Sequence, residues 1–582
     1  MARRRMSFEA KRSGILRLLL YTDDNSSSPT TRSTMQCAKT CDSLQAQQGH
    51  VQLICCVVKV SSLGISHDAL TTSVSNLTRF PGRIALLQTR DKQEGGGVLF
   101  VWLISSANSN GIEEELRAFT TSDKISELLR LCPPHLWYHG SNNASCPRPI
   151  LITNKHQDQL LQLHTALIAA IVDIVERWWT DTDAGFPGRM PLEKQEEDLL
   201  LWLEGQRSDN DPPYKERLGS WRPDFLVEDD ETGSENYRLT EINARFCFNG
   251  FMHQAYGQEA LSTLGVGNNG TVHATDSALI LKGLLDLFDN KVPLHLLKGE
   301  EPGIDIHMFI DFMNRYVGIR PRLISPADLR LIPDPENRGG YKLCCVMKES
   351  KLNGYASSPF VLQSGEQEPL EEIHQIGLEL HQHELFALPM ELLHQISLRC
   401  FNDMRTVLLV HDKRMLGIIK QEIPTLVARY VLTDAQGHAL DEGIADTILP
   451  GSTDLEALIQ LSKGAPKRRK QFLLKPVRGG KGAGIVFDDE LTPAQWVASL
   501  ERLRKAELVS GSPSYVVQRR VWPCLYDLIL AASGERVKYP LIGTYHTVNG
   551  HLLGIGTWRS SPDRICAVSH GGAWICSVVR EE

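Results

Sequence analysis

The sequence predicts a mixed α/β (α+β) chain of enzyme type. Three observations carry this: strand-like apolar runs interleaved with helical patterns, two β-type segments around a polar tip at 221–245, and a late hairpin signal at Asn549-Gly550. A length of 582 residues suggests about three or four domains. Hydrophobic residues make up 42% and charged residues 23%, an ordinary globular balance. The net charge of −8 gives no basic signature, which disfavours a nucleic-acid binder.

The elements follow in order. The Arg-rich start (MARRRMSFEAKRSGILRLLLY) carries Glu9 and runs into Tyr-Thr-Asp-Asp, which argues for a frayed basic terminus over a mitochondrial presequence. NSSSPTTRST then predicts a loop. From about 50 to 200, runs such as VQLICCVVKV and GGVLFVWLI alternate with HQDQLLQLHTALIAAIVDIVERWW. TALIAAIVDIV (165–175) is shorter than the ~20 residues that span a bilayer and carries Asp173, so a core helix and no membrane partner are expected. A polar segment at 205–220 separates this part from two strands at 221–228 and 237–245. A helix–strand unit (IDIHMFIDFMNRYVGIRPRLIS) and a helical stretch around 370–400 follow. The last part, from TVLLVHDKRMLG, holds strand FLLKPV, a Gly-rich turn, helix TPAQWVASLERLRK, strand SYVVQRRV and the Asn549-Gly550 hairpin.

Thirteen cysteines are scattered. Cys55-Cys56 and Cys344-Cys345 sit in apolar runs and read as small buried hydrophobes. Cys37 and Cys41 lack the second pair a zinc site needs. A reduced, cytoplasmic chain is expected.

The most informative stretch is WRPDFLVEDDETGSENYRLTEINARF (221–246). Symmetric pairing about Thr232-Gly233 sets Asp224 across from Glu241 and Arg222 across from Asn243, with Glu241 and Asn243 on one face. Opposed side chains have Cβ atoms ~5 Å apart, and like charges so placed repel. A hard cation between them would remove the repulsion; magnesium takes oxygen ligands at ~2.1 Å and shares carboxylates with substrate phosphates. The alternative is an exposed hairpin whose acids face water.

The second constellation is QFLLKPVRGGKGAGIVF (471–487). A strand ends at Lys475-Pro476, glycines follow at 479, 480, 482 and 484, and a strand resumes at Ile485. Glycines let backbone N–H groups approach an anion and form a concave phosphate nest, with Lys475, Arg478 and Lys481 adding positive charge. No Gly-Lys-Ser/Thr follows, so it is not a Walker A loop, and the glycines lead into a strand rather than the helix of a dinucleotide fingerprint. Strand, Gly loop and strand describe a flap over a triphosphate; the alternative is a plain turn.

Together these stretches resemble the ATP-grasp superfamily. There a Lys-Pro strand precedes a Gly-rich flap over ATP, and a Glu-x-Asn strand with an upstream Asp carries magnesium. TEINAR is similar to the Glu-x-Asn-x-Arg form, HDKRMLGIIKQEIPTL (411–426) to the family's Asp-Lys helix and Ile-Pro strand entry, and YVVQRR (515–520) to its adenine-side hinge strand. The metal strand precedes the flap, an order similar to the circularly permuted eukaryotic glutathione synthetases and glutathionylspermidine synthases. The resemblance implies a permuted ATP-grasp core with a divergent N-terminal α/β domain (1–200), a metal-binding part (201–300), a substrate-side region (301–405) and a nucleotide-binding part (406–582).

It also implies roles. Asp224, Glu241 and Asn243 would be magnesium ligands; Lys413 and Lys475 would hold ATP phosphates, joined by Arg478 and Lys481. Gly479, Gly480, Gly482 and Gly484 would form the flap. Gln518, Arg519 and Val521 would line the adenine pocket, and Arg245 and Arg559 would neutralise transferred phosphate. Two departures stand out. The flap lacks the metal-binding glutamate of glutathione synthetases, and Arg519 replaces the hinge glutamate, with Asp527 a substitute for ribose contact. The implied activity is ATP-dependent ligation of a small-molecule carboxylate to an amine through an acyl phosphate, in metabolite biosynthesis. The rival is a catalytically inactive nucleotide-binding regulatory protein.

Three motifs are set aside. SHGGAW (569–574) resembles an esterase oxyanion loop but no Gly-x-Ser-x-Gly elbow exists, so a closing Gly turn is expected. His381 and His383 do not share a helix face and read as solvated. PKRRK (466–470) reads as a loop.

Overall fold

The computed structural model describes residues 121–580, apart from 209–210, 230–232, 267–269, 348–359, 364–367, 509–512 and 531–534, together with five short strands nearer the N-terminus. The NSSSPTTRST segment, Cys37, Cys41 and Cys56 lie outside the described residues. The chain divides into two compact units, 1–115 and 116–582. In the first, Met6–Lys11 and Ile15–Leu20 pair antiparallel, so the expected frayed terminus is a hairpin. Ile54–Cys55, Leu99–Trp102 and Ala85–Leu87 form a small sheet in that order.

The second unit mixes helices with several sheets. One sheet runs Ala573–Ile575, Trp558–Ser560, Ile542–Val548, Ser220–Asp229, Glu235–Asn243, with His551–Ile555 also paired to Ile542–Val548. The turn between the last two is Asn549-Gly550, with φ of 45° and 79°; left-handed values at both central positions are what a tight hairpin of this twist requires. A second sheet runs Thr447–Ile448, Tyr515–Arg519, Phe472–Pro476, Val486–Phe487. A parallel sheet joins Arg322–Ile324, His295–Lys298 and Ile376–Glu379.

Helix Asn154–Glu176 carries the TALIAAIVDIV run. It is long and apolar enough to cross a bilayer by length and composition, yet half of its apolar window is buried. Leu160, Leu163, Leu167, Ile171 and Ile174 recur at helical spacing and pack into the main core with Trp221 and Tyr545. Each such aliphatic side chain contributes ~1.5–3 kcal/mol by leaving water, so the helix is a core element, as expected. Cys344 and Cys345 are buried on strand Tyr341–Val346 and carry no disulfide.

Two local expectations are overturned. The helical stretch around 370–400 begins as two strands, Pro369–Glu372 and Ile376–Glu379, because the second is buried along its whole length beside His295–Lys298. Ile423-Pro424 opens no strand; Pro424 lies inside helix Arg414–Ala428. His381, the N-cap of helix Gln382–Leu385, and His383 are solvent-accessible as expected, 36% and 69% exposed, and their rings stack with centroids 5.6 Å apart.

Candidate active site

The site is built on the hairpin of Ser220–Asp229 and Glu235–Asn243. Its register pairs Arg222 with Asn243 and Asp224 with Glu241, as the sequence symmetry predicts. The next pair is Phe225 with Leu239, so Thr240 is an extra residue in a β-bulge. The bulge frees the Thr240 carbonyl from the ladder. It accepts both the Lys475 ammonium and the Gln518 side-chain amide, each at 3.1 Å. One irregular residue thus ties the flap strand and the hinge strand to the acidic hairpin.

The two acids meet four cations. Lys413 Nζ lies 3.4 Å and Lys475 Nζ 3.7 Å from Glu241 Oε2. Asp224 is bound by Arg222 at 2.9 Å and by Arg559. Burial alone would push the Glu241 carboxyl up, but Lys413, Lys475, Arg559 and Arg222 together hold it well below the usual carboxylate range. Burial and the neighbouring Lys413 push the Lys475 ammonium down, against the pull of Glu241. Lys413 also donates to the Gly479 carbonyl at 2.8 Å, which joins it to the flap. Two carboxylates against Arg222, Lys413, Lys475 and Arg559 leave two positive charges in excess, the electrostatics of an anion site.

The residues fit magnesium on chemical grounds. Asp224 and Glu241 offer hard oxygen donors from opposed positions, and Glu241 is held ionised. Asn243 spends its side-chain N–H on the Arg222 carbonyl at 3.2 Å, which leaves its amide oxygen as the remaining donor.

The flap is a strand–turn–strand unit: Leu473 pairs with Phe487 and Leu474 with Val486. Gly479, Gly482 and Gly484 have φ of 99°, 72° and 76°, and Lys481 has 58°. A Cβ on Gly482 would stand 2.2 Å from Ile565, whereas Gly479 and Gly480 face open space. Beneath lies a cavity of about 430 Å³. Arg222, Asp224, Glu241, Lys475 and Arg559 form one wall, and Lys481, Gly482, Gln518, Arg519 and Val521 also line it. Lys481 is drawn to Glu301 at 3.2 Å and lies over the Tyr138 ring.

Several sequence-derived residues are engaged by other partners. Arg478 turns from the cavity to Glu193 at 2.9 Å, to Glu196 and to Asp412 at 3.8 Å, acids from other elements that outcompete a flap position. Arg245 lies past the strand end and donates to Gln382 at 2.6 Å; burial and Arg478 push its guanidinium down to about 10. Arg519 is bound bidentately by Glu228, at 2.7 and 3.1 Å, so the hinge cation is neutralised by the acidic hairpin. Asp527 is exposed on hairpin Leu525–Pro540 and is not among the cavity-lining residues.

Another part of the lining was not anticipated. Ser141 and His253 line the cavity, and His253 is backed by Asp305. These three lie 112 and 52 residues apart, in segments without a motif, so no local pattern signals them. Arg222, by contrast, was placed opposite Asn243 by symmetry, and its bond to Asp224 follows from their two-residue spacing on one face.

A family model described as the AnkG N-terminal domain matches residues 163–409. The chain is 35% identical over 437 residues to a protein from Aspergillus thermomutatus described as the ATP-grasp enzyme ankG, covering 74% of this chain and 88% of that relative. Among solved structures, a glutathione synthetase-like effector of Globodera pallida in the apo form aligns with a TM-score of 0.43 and 11% identity, over 74% of this chain and 89% of that one. A likeness of that size is too slight to build on.

Proposed function

The chain belongs to the ATP-grasp enzymes, and we propose that it is an ATP- and magnesium-dependent carboxylate–amine ligase that forms an amide or peptide bond through an acyl phosphate. The observation that carries the proposal is the opposed Asp224–Glu241 pair, ringed by Lys413, Lys475, Arg222 and Arg559 and set under a glycine turn.

In this reading a carboxylate oxygen of the substrate attacks the γ-phosphorus and ADP departs. The amine then attacks the acyl carbon; the C–N bond forms as the C–O bond to phosphate breaks. Phosphoryl transfer depends on positioning and charge neutralisation more than on covalent help. Lys413 and Lys475 would balance the phosphates, and Arg559 and Arg222 would hold Asp224 and the transferring group. Magnesium, held by Asp224, Glu241 and Asn243, would neutralise and orient the phosphates. Gly479 to Gly484 would close over the cavity and keep water from the acyl phosphate. The order of hairpin before flap supports a permuted core, with 201–300 supplying the metal-binding part, 301–405 the substrate side and 406–582 the nucleotide-binding part. The partners would be small-molecule acids and amines in the cytoplasm, within metabolite assembly. The retention of Asp224, Glu241, Asn243 and Lys475 together, which a degenerate site need not keep, favours catalysis over a purely regulatory nucleotide-binding role.

The test is magnesium-dependent ADP release with ATP and a metabolite extract, with new products read by mass spectrometry. Glu241→Ala should stay folded and lose turnover. Retained turnover in that variant removes the metal assignment.

A further inference from the structure

We propose that Ser141, His253 and Asp305 form a second reactive centre in the same cavity, a serine acyl-transfer site that takes acyl groups carried on good leaving groups. Ser141 Oγ lies 2.8 Å from His253 Nε2, and His253 Nδ1 lies 2.6 Å from Asp305 Oδ1. A carboxylate only accepts, so Nδ1 carries its proton and Nε2 is left as the acceptor of the serine O–H. Nucleophile, base and orienting acid are thereby in the connectivity that activates a serine.

The surroundings hold that arrangement in place. Asp305 is fully buried, and its other oxygen accepts the Met252 N–H at 2.8 Å. Among the described residues its one side-chain hydrogen-bond partner is His253, so the carboxylate is available to an imidazolium. Trp137 meets the His253 ring edge-on at 5.1 Å and Trp574 at 5.7 Å, which fixes its plane. Trp574 also donates to the Ser141 carbonyl at 2.6 Å. Immediately before Ser141 the chain takes two left-handed residues, His139 with φ 48° and Gly140 with φ 66°. For a histidine that conformation is uncommon and costs on the order of 1 kcal/mol or more. The strained turn ends on the serine that, with His253, faces the cavity.

The chemistry balances without a further reagent. Ser141 Oγ attacks the acyl carbon as its proton passes to His253 Nε2; the C–Oγ bond forms and the bond to the leaving group breaks, the departing group taking that proton from His253. Water, or an amine, then attacks the acyl-serine, gives its proton to His253, and the C–Oγ bond breaks as His253 returns a proton to Oγ. Neither ATP nor magnesium takes part, so the activity stands whether or not the ligase reading holds.

The test uses the full chain without nucleotide. Diisopropyl fluorophosphate should leave one diisopropylphosphoryl adduct, mapped by peptide mass spectrometry to Ser141, and p-nitrophenyl acetate should release a burst of p-nitrophenolate. Ser141→Ala should lose both. His253→Gln should slow labelling at least about a hundredfold, the lower end of what a general base contributes. A merely structural hydrogen-bond chain would leave Ser141 unlabelled. No adduct on the unaltered protein, an adduct only at another residue, or labelling of Ser141 at the same rate in a folded His253→Gln overturns the proposal. If His253→Gln melts by circular dichroism, the unaltered protein and Ser141→Ala decide it alone.

Discussion

Glu241→Gln keeps the shape of the side chain and removes the charge on which two lysines converge. With Nζ atoms 3.4 and 3.7 Å from Oε2, each attraction amounts to about 4–5 kcal/mol at an effective dielectric of about 20. The glutamate side chain is 19% exposed at the cavity, so solvent screens part of this. Lys475, whose ammonium is already pushed down by burial, can also shed its proton when the carboxylate goes. Removing one partner of a buried pair costs ~3–5 kcal/mol, and screening brings the expected loss here to roughly 2–3 kcal/mol. In ligand-free protein this should appear as a fall in Tm of roughly 2–3 °C, read by calorimetry. Added inorganic phosphate should stabilise the variant more than the parent, because an anion can replace the missing charge. Magnesium-dependent ATP binding should be lost. A melt unchanged within about 1 °C, with affinity for Mg·ATP retained, would refute the reasoning that Glu241 is the electrostatic centre of the site.

Other outcomes follow from the same geometry. Gly482→Ala combines a φ of 72° with a 2.2 Å clash against Ile565, so flap closure and turnover should fall at least about tenfold, or ~1.4 kcal/mol; Gly480→Ala, with open space around it, should leave both stability and turnover as they are, and equal kinetics for the two would contradict this. Arg478→Ala removes the cation paired with buried Glu196, while Asp412 keeps Arg414 at 2.8 Å, and should cost roughly 3 kcal/mol in denaturant melts while the KM for ATP stays within a few-fold; a large KM change with normal stability would return Arg478 to the nucleotide. Acid should destabilise the fold early. Burial and Arg222 push His546 down to about 4, and burial, Arg245 and Lys413 hold His411 well below its usual value. Both are neutral when folded and bind protons below ~6.5 when unfolded. Their contribution is therefore full above pH ~6.5 and declines as pH falls, by up to roughly 3 kcal/mol for His546 at pH 4, which melts in a buffer series will show.

What the sequence made legible was what is local. The hairpin register could be read because the polar tip and the two strands lie in one stretch, and pairing about Thr232-Gly233 fixes Asp224 against Glu241. Asn549-Gly550 announced its own turn. Arg478 misled because adjacency to the glycines looked like membership of the flap, while its partners Glu193 and Glu196 come from nearly three hundred residues earlier. The strands at 369–379 were hidden by a pattern compatible with a helix, and tertiary pairing decided, of Pro369–Glu372 with Tyr341–Val346 and of Ile376–Glu379 with His295–Lys298. Ser141, His253 and Asp305 meet only through the fold.

The extra residue at Thr240 has a mechanical consequence. Since Lys475 and Gln518 grip the same oxygen and their strands are laddered to each other, the pair cannot lift from the hairpin as a unit without both bonds breaking. Any opening and shutting of the lid must pivot beyond Pro476, in the few residues up to Gly484. Deleting residue 240 would straighten the ladder, withdraw that shared anchor, and turn rigid strands into moving ones.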